Sequence, residues 1–311
     1  MRAVVIREFG PPGVLRLADV AEPAPGPGEV VVDVELAGVT FVETQVRAGR
    51  PPNPAMLPAL PAILGNGVGG TVAGRRVVSS LAGTGGYAER AVAPAGQLLE
   101  VPDGVPLRDA VALLADGRTA VALTELAAPR AGDTVVVEAA AGGVGTLLVQ
   151  LARNAGARVI ALAGSDGKLA LARELGADVA VSYAQPGWEQ RVRDAAGAAD
   201  VVFDGVGGSI GAAAFGLLRP GGRFCPFGMA SGSFAPVPPG LAAARQISVL
   251  RGGIPDAARR TALARDALAE AAAGRIRPVI GQEHDLGRAD AAHAAIEARA
   301  TTGKTLLTVA R

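Results

Sequence analysis

The sequence predicts an α/β protein in which a doubly wound parallel-sheet domain is inserted into a second, mostly β domain. A contrast in pattern between two regions of the chain supports this prediction. Residues 1–112 are rich in β-branched runs, proline and glycine, whereas residues 113–250 alternate apolar strands with alanine-rich helical stretches. Strands separated by helices imply right-handed crossovers and a parallel sheet that is covered on both faces.

The first region is predicted to form short strands joined by irregular segments. Val4–Ile6, Val30–Val34 and Arg76–Val78 have the β-branched composition of strands. Residues 22–28 form a proline- and glycine-rich stretch that is typical of an extended loop. Pro51–Pro61 contains five prolines and cannot form one regular element, because proline fixes φ and lacks a backbone donor.

The middle region and the tail can be followed element by element. The predicted strands of the middle region are Thr134–Val137, Arg158–Ala163, Val179–Ser182, Val201–Asp204 and Arg223–Phe227, and its clearest helices are Val144–Ala155 and Gly167–Leu175. The tail is predicted to contain a strand at Ile247–Leu250, a helix at Asp256–Ala273, a strand near Pro278–Ile280, a helix near Ala289–Arg299 and a last strand at Lys304–Val309. We expect the tail to return to the first domain.

Composition excludes several classes of function. The 311 residues carry a formal net charge of +1, which gives no electrostatic reason to expect nucleic acid or an anionic membrane as a partner. The single cysteine, Cys225, cannot form an internal disulfide. The N-terminus alternates like a strand and lacks the apolar core of a signal peptide, and the apolar runs are too short to span a bilayer. We therefore expect a cytoplasmic protein.

The most specific local signal is the glycine-rich stretch Ala139–Gly145, which follows one predicted strand and opens a helix. Glycine allows a sharp turn and lets a diphosphate approach without a Cβ clash. The N-terminus of the following helix offers unpaired N–H groups and the positive end of its dipole. An ordinary glycine-rich turn is the structural alternative, but the series of strands and helices that follows favours a dinucleotide site.

The end of the second strand of the series indicates which nicotinamide cofactor is used. An NAD-preferring site places an acid there for the ribose 2′-hydroxyl, but this strand ends at Ala163, before Gly164 and Ser165. Lys168, one helical turn further on, could neutralise a 2′-phosphate, so the sequence favours NADPH. The alternatives are that Lys168 is a solvated helix residue and that Asp166 is the acid that binds the ribose.

Six motifs occur in a recognisable order along the chain: Gly26–Glu29, Gly85–Glu89, Ala139–Gly145, Leu175–Asp178, Phe203–Gly207 and Arg299–Lys304. In order and spacing they resemble the quinone oxidoreductase (zeta-crystallin-like) branch of the zinc-free medium-chain dehydrogenase/reductase superfamily. The resemblance implies a Rossmann domain at 113–250 inserted into a GroES-like substrate domain at 1–112 and 251–311. It further implies an NADPH-dependent reductase of a quinone or enone, assembled as a homodimer.

The resemblance also implies individual roles in cofactor binding. Lys168 and Tyr183 match the pair that holds the 2′-phosphate, and Arg299 matches an arginine that reaches the cofactor from the C-terminal segment. Tyr183 as a strand-edge aromatic and Arg299 as a helix-end charge are the alternatives. The remaining predicted cofactor-binding positions are Thr119, Gly142, Gly143, Val144, Gly164, Ser165, Val206, Phe227, Gly228, Met229, Ala230, Ser231, Leu250, Arg251 and Gly252.

Zinc is not expected. Zinc-dependent relatives carry a cysteine where this chain has Thr40, and a histidine and a glutamate where it has Asn66 and Gly67. The two histidines, His284 and His293, lie in the C-terminal tail. A catalytic zinc site needs about three N, S or O ligands that converge on one point, and these positions do not supply them.

Without a metal, the cofactor carries the hydride chemistry and the protein orients it. Thr40 is the candidate donor to the developing oxygen of the acceptor, with a packing role for Thr40 and a proton from water as alternatives. Gln45 and Pro51 are predicted to line the substrate site, where some bacterial relatives have tyrosines. The connection Ala73-Gly74 is shorter than the family's usual loop, so either the loop is naturally deleted or the sequence lacks a segment.

Two other functions remain open from the sequence. An enoyl reductase that acts on a thioester or polyketide-like enone would use the same fold, cofactor and hydride step. A redox sensor or structural protein would bind NADPH with little catalysis. Ile247–Leu250 is the candidate edge strand for dimerisation, since it ends an otherwise open sheet.

Overall fold

The computed structural model describes residues 1–81, 83–252 and 256–309. The chain divides into two units, of which the first contains Met1–Arg118 and Asp256–Arg311, and the second contains Thr119–Pro255. The assignment of a substrate domain and a nucleotide domain to the sequence ranges given above stays a prediction. Within the described ranges, no helix has the length and apolar composition needed to cross a membrane.

The regular elements are numbered in chain order. The strands are β1 (Arg2–Ile6), β2 (Arg16–Asp19), β3 (Glu29–Val39), β4 (Ala62–Ile63), β5 (Gly67–Val72), β6 (Arg75–Ser80), β7 (Arg90–Pro94), β8 (Leu98–Glu100), β9 (Thr134–Val137), β10 (Arg158–Ala163), β11 (Val179–Ser182), β12 (Ala199–Asp204), β13 (Leu218–Pro226), β14 (Ser248–Val249), β15 (Ile280–Asp285) and β16 (Lys304–Thr308). The α-helices are α1 (Phe41–Arg47), α2 (Leu107–Ala112), α3 (Arg118–Ala127), α4 (Gly143–Asn154), α5 (Asp166–Glu174), α6 (Trp188–Ala196), α7 (Gly208–Phe215), α8 (Pro239–Ala244), α9 (Ala257–Ala272) and α10 (Ala289–Glu297).

The second unit contains a six-stranded parallel sheet in the order β11-β10-β9-β12-β13-β14. The strand order reverses between β9 and β12, which is where open α/β sheets bind their ligands, at the carboxyl ends of the strands. Both faces of the sheet are covered, since Val135, Val136 and Val137 of β9 are each fully buried. The predicted doubly wound parallel sheet is confirmed, and β10 and β11 have the predicted bounds.

The first unit is dominated by a seven-stranded sheet in the order β15-β16-β3-β5-β6-β8, with β7 paired to β3. Its strands pair antiparallel except β15 and β16, which are parallel. The C-terminal strand β16 lies beside β3, so the end of the chain joins the sheet built by its beginning. A smaller sheet, β2-β1-β4, completes the unit.

Three strands of the tail differ from the prediction, of which the last, β16, ends one residue early at Thr308. The strand expected near Pro278–Ile280 is instead β15, Ile280–Asp285. The prediction followed the apolar Val279 and Ile280, whereas β15 alternates half-buried and exposed side chains and is held by backbone pairing with β16. At the edge of the parallel sheet, β14 spans only Ser248–Val249 of the expected Ile247–Leu250.

The short connection between β5 and β6 closes a complete hairpin. The two strands pair without interruption from Gly67 and Ser80 to Val72 and Arg75. The two-residue loop has positive φ at both positions, 49° at Ala73 and 78° at Gly74, as in a type I′ turn. The chain therefore needs no additional residues to join these strands.

Replacing Ala73 with asparagine is expected to stabilise the protein by about 1 kcal/mol. Alanine is strained in the left-handed region, whereas asparagine tolerates it and asparagine-glycine is the preferred type I′ pair. Urea unfolding would measure the change as a higher midpoint. Ala73→Val is the matched variant and should lower the midpoint, because a β-branched residue is more strained at positive φ. Equal midpoints for the two variants would contradict this view of the turn.

Candidate functional site

The glycine-rich turn lies at the carboxyl end of the central strand β9. The backbone turns at Ala139, whose φ is +47°, and the Gly142 N–H donates to the Ala139 carbonyl at 2.8 Å. A Cβ on Gly145 would lie 2.2 Å from the same carbonyl oxygen, so only glycine allows this approach of turn and helix. In the described part of the chain no side chain caps the first turn of α4, and Gly142 to Val144 are partly exposed. This arrangement fits a diphosphate bound by backbone amides.

The carboxyl ends of β10 and β11 bring together the residues predicted to hold the 2′-phosphate. The Tyr183 N–H donates to the Ala163 carbonyl at 3.2 Å, which places the tyrosine just beyond the end of β10. A Cβ on Gly164 would lie 3.4 Å from the Tyr183 ring, so the two residues are in contact range. Lys168 is in the first turn of α5, where it is half-buried. Ser165 is the N-cap residue of α5, and its side chain makes no capping hydrogen bond.

Two loops at the switch point are tied together through their backbones. The Asp204 carbonyl accepts the N–H groups of Phe227 (2.9 Å) and Gly228 (3.1 Å), and the Ser231 N–H donates to the Val206 carbonyl at 2.8 Å. The predicted cofactor stretch 227–231, which includes Met229 and Ala230, is therefore anchored on the loop that contains Val206.

The remaining predicted cofactor residues lie in different places. Leu250 follows β14 and donates its N–H to the Phe224 carbonyl at 2.7 Å, and Arg251 and Gly252 follow it as exposed residues. Thr119 is half-buried near the start of α3. Arg299 belongs to the first unit, where it is exposed, just after α10, at a φ of +55°.

In the first unit, Thr40 is the N-cap residue of α1. Its side-chain oxygen accepts the Glu43 N–H at 3.3 Å, and the Glu43 carboxylate accepts the Thr40 N–H at 2.7 Å, which completes a capping box. Gln45, one helical turn further along α1, donates from Nε2 to the Thr44 hydroxyl at 3.3 Å and is half-buried. Pro51, also half-buried, follows the helix.

A buried polar network, which sequence reasoning missed, supports this helix. Tyr87 donates its hydroxyl to Glu43 at 3.0 Å and lies 3.1 Å from His293 Nε2. Burial raises the pKa of Glu43, and burial and the adjacent Glu43 charge hold the pKa of Tyr87 well above its usual range. Burial, helped by the nearby Arg47 charge, lowers the pKa of His293 to about 3, so this histidine is neutral. The sequence signal that could have indicated this network is the capping-box spacing of Thr40 and Glu43, which are three residues apart.

A second buried group missed by the sequence analysis is the carboxyl pair Glu138 and Asp204 in the second unit. Both side chains have no exposed surface. Glu138 follows directly after Val137 of β9, and Asp204 follows Phe203, the residue that pairs with Val137 on the adjacent strand β12. The pair therefore lies beneath the two loops of the switch point.

The positions that carry zinc ligands in zinc-dependent relatives do not fit a metal. The Thr40 oxygen serves the capping box, the Asn66 side-chain oxygen accepts the Gly83 N–H at 2.9 Å, and Gly67 has no side chain. Among residues 1–81, 83–252 and 256–309, no three histidine, cysteine, aspartate or glutamate side chains are grouped to hold a metal ion.

Cys225, on β13, is a free thiol without exposed surface. Burial raises the pKa of the thiol to about 12 and outweighs the opposing effect of the Arg223 charge. Because the thiolate is the reactive form, this cysteine is structural and not a nucleophile.

Comparison with known proteins identifies relatives along the whole chain. The family profile described as "Zinc-binding dehydrogenase" matches residues 143–265. A probable quinone oxidoreductase of Schizosaccharomyces pombe is 34% identical, over 98% of this chain and 96% of that protein. The quinone oxidoreductase of Pseudomonas aeruginosa is 31% identical, over 96% of this chain and 97% of the relative.

The fold is also similar to that of a solved structure. The quinone oxidoreductase of Thermus thermophilus, crystallised alone and as a complex with NADPH, superposes with a TM-score of 0.87 at 36% identity. The superposition covers 99% of this chain and 100% of that chain.

The parallel sheet with its glycine-rich turn, joined to the antiparallel unit that carries the capped helix α1, defines a medium-chain dehydrogenase/reductase. The relatives that match nearly the whole chain identify the family within this superfamily. The chain belongs to the quinone oxidoreductase family of the medium-chain dehydrogenase/reductase superfamily, as the six sequence motifs predicted.

Proposed function

We propose that the protein is an NADPH-dependent, zinc-independent reductase that transfers hydride to a quinone or to the β-carbon of an α,β-unsaturated carbonyl compound. The observation that carries this proposal is the edge of the parallel sheet, where the turn at Ala139–Gly142 and the residues Lys168 and Tyr183 follow successive strands. A relative at 36% identity was crystallised with NADPH, and relatives at 31–34% identity are named quinone oxidoreductases.

In this proposal the two halves of the cofactor are recognised differently. The backbone of Gly142, Gly143 and Val144 binds the diphosphate, since helix N-termini attract anions. Lys168 and Tyr183 bind the 2′-phosphate through charge-assisted hydrogen bonds. The further positions that would contact the cofactor are Thr119, Gly164, Ser165, Val206, Phe227, Gly228, Met229, Ala230, Ser231, Leu250, Arg251, Gly252 and Arg299.

In the proposed reaction the protein orients the reactants and donates a proton to the acceptor. When bound, NADPH supplies a hydride from its nicotinamide ring. The Thr40 oxygen accepts the Glu43 N–H, so the Thr40 hydroxyl proton stays available for donation to the developing oxygen of the acceptor. Glu43 fixes the position of Thr40, because its carboxylate also accepts the N–H of Asn66 at 2.8 Å and the hydroxyl of Tyr87.

The acceptor is proposed to be small and largely apolar. Gln45 and Pro51 are the proposed substrate contacts. The segment after them exposes Met56 (44%), Leu57 (37%) and Leu60 (37%), which form a run of large apolar side chains on the surface. A flat quinone or enone would cover such side chains favourably.

Replacing Lys168 with alanine is expected to weaken NADPH binding by about 10- to 100-fold, because a charge-assisted hydrogen bond contributes about 1.5–3 kcal/mol. Binding of NADH, which lacks the 2′-phosphate, should be nearly unchanged. Calorimetry with both cofactors measures the difference, and Asp166→Asn is the matched control on the same helical turn. If the wild type prefers NADH and Asp166→Asn weakens NADH binding, then Asp166 is the ribose ligand and the Lys168 assignment is wrong.

The acceptor class is tested by NADPH oxidation with a simple quinone, a simple enone and an enoyl thioester. The proposal expects turnover with the quinone or the enone that resists a metal chelator. Preferential turnover of the thioester would favour the enoyl reductase alternative. Binding of NADPH without oxidation by any of the three would favour a redox sensor or a structural protein.

Assembly and location form part of the same proposal. β14 is the edge strand of the parallel sheet and pairs only with β13 within the described chain, so its free edge could pair with a second copy to form a homodimer. A cytoplasmic location suits a protein whose one cysteine is a buried free thiol.

A further inference from the structure

The buried carboxyl pair Glu138–Asp204 has no role in the reaction described above. The two carboxyl groups are neighbours, since the Val206 N–H lies 3.3 Å from Glu138 Oε2 and 3.1 Å from Asp204 Oδ1. Neither side chain has exposed surface, and Glu138 Oε1 and Asp204 Oδ2 have no hydrogen-bond partner among the residues that the structure describes. Buried polar atoms of native proteins are nearly always paired, so these two oxygens require an explanation.

The hydrogen bonds available to the pair are too few for two ionised carboxylates. Asp204 Oδ1 accepts the N–H groups of Val206 (3.1 Å) and Gly207 (2.6 Å), and Glu138 Oε2 shares the Val206 N–H at 3.3 Å. Among the described residues, Asp204 is the charged group that acts on Glu138, and no cation offsets it. Burial, followed by the charge of Asp204, raises the pKa of Glu138 well above its usual range.

A single proton resolves this conflict. A protonated Glu138 donates a hydrogen bond to the Asp204 carboxylate, which removes the repulsion and satisfies acceptors that would otherwise be unpaired. Glu138 is the better place for this proton, since it shares one backbone N–H whereas Asp204 accepts two.

We propose that Glu138 and Asp204 share one proton and that this proton holds the switch-point loops in the shape that binds NADPH, which makes Glu138 a positioning residue for the cofactor. This inference rests on the NADPH site of the proposed function. It adds a buried acid beneath that site whose role is to set loop geometry and not to touch substrate.

Hydrogen bonds of Asp204 connect the acid pair directly to the loops that would bind the cofactor. Asp204 holds the turn at Val206 and Gly207 through its side chain, and holds Phe227 and Gly228 through its backbone carbonyl. A Cβ on Gly211 would lie 2.6 Å from Asp204 Oδ2, so helix α7 leaves the carboxylate no room to move away. An unprotonated pair would therefore push on loop 205–208 and, through Asp204, on residues 227–231.

The test compares two substitutions of Glu138 by NADPH titration near neutral pH. Glu138→Gln keeps a neutral donor of the same shape and should bind NADPH within about threefold of the wild type. Glu138→Leu keeps the volume without a donor and should bind at least about tenfold more weakly, because Asp204 then lacks its partner. Circular dichroism establishes that both variants are folded. Equal affinity of the two variants, or loss of binding in Glu138→Gln, overturns the proposal.

A spectroscopic measurement detects the proton directly. The infrared difference spectrum of wild type minus Glu138→Gln, without cofactor, should contain the carbonyl band of a protonated carboxylic acid. Its absence overturns the shared proton even if Glu138→Leu binds NADPH poorly. Because neither measurement uses an acceptor, failure here is distinct from failure of the proposed reductase activity. A wild type that binds no NADPH would instead refute the proposed function.

Discussion

Replacing Gly145 with alanine is expected to weaken NADPH binding by at least about 100-fold and to destabilise the protein by about 1–3 kcal/mol. The added Cβ would lie 2.2 Å from the Ala139 carbonyl oxygen and 2.9 Å from Ala140 Cα. Both are backbone atoms of the turn, so the clash cannot be relieved by rotating a side chain. The turn must move away from α4, and the amides that bind the diphosphate then separate from one another.

Gly167→Ala is the matched control for this experiment. Gly167 is in the first turn of α5, at the same edge of the sheet, and a Cβ there meets nothing within 4 Å. The same substitution should therefore preserve affinity and slightly raise stability, since alanine is the better helix former. Calorimetry and thermal unfolding of both variants measure the effects. If Gly145→Ala binds NADPH as tightly as Gly167→Ala, the turn is not the diphosphate site.

Replacing Glu297 with alanine is expected to destabilise the protein by about 1–3 kcal/mol, because the buried Arg47 guanidinium loses its charged partner while the Glu297 side chain is itself 30% exposed. Glu297 pairs with Arg47, whose side chain is only 1% exposed. Arg47 also donates to the Gly10 carbonyl at 2.8 Å and the Thr44 carbonyl at 3.3 Å. Burial lowers the pKa of Arg47, and Glu297 opposes that shift. The pair joins the end of α1, which begins beside Thr40, to the end of α10.

Glu270→Ala removes an exposed ion pair with Arg275 and serves as the comparison. Exposed pairs contribute about 0–1 kcal/mol, so this variant should melt close to the wild type. Arg47→Met should restore part of the stability lost in Glu297→Ala when the two are combined, because the unpaired guanidinium is then absent. If Glu270→Ala has a melting temperature equal to or lower than that of Glu297→Ala, the ion pair of Arg47 and Glu297 does not have the proposed stabilising role.

The parallel sheet was the most predictable part of the structure. Largely apolar runs such as Arg158–Ala163 and Val179–Ser182 are covered on both faces, so their ends are marked where polar residues and glycine begin. β15 was less predictable, because its alternating polar residues form a strand only by pairing with β16. The type I′ turn at Ala73-Gly74 lacks asparagine, which is the usual signal.

The candidate site was predictable where one local motif encodes a function. The glycine-rich turn is of this kind, because its backbone shape follows from nearby residues. The network of Tyr87 with His293 joins positions 206 residues apart and has no local signature. The pair Glu138 and Asp204 also has no signature in the sequence. A single carboxylate at the end of a strand is typical of a solvated loop, and only the register of β9 and β12 shows that the two are adjacent.

The buried cysteine has a consequence for an enzyme that handles electrophiles. Quinones and enones add covalently to thiolates and to neutral amines. Cys225 keeps its proton, with a pKa of about 12, and has no exposed surface. Of the two lysines, Lys304 is 3% exposed and paired with Asp116. Lys168 is the remaining thiol or lysine side chain, so the protein presents few such nucleophiles to the proposed acceptors.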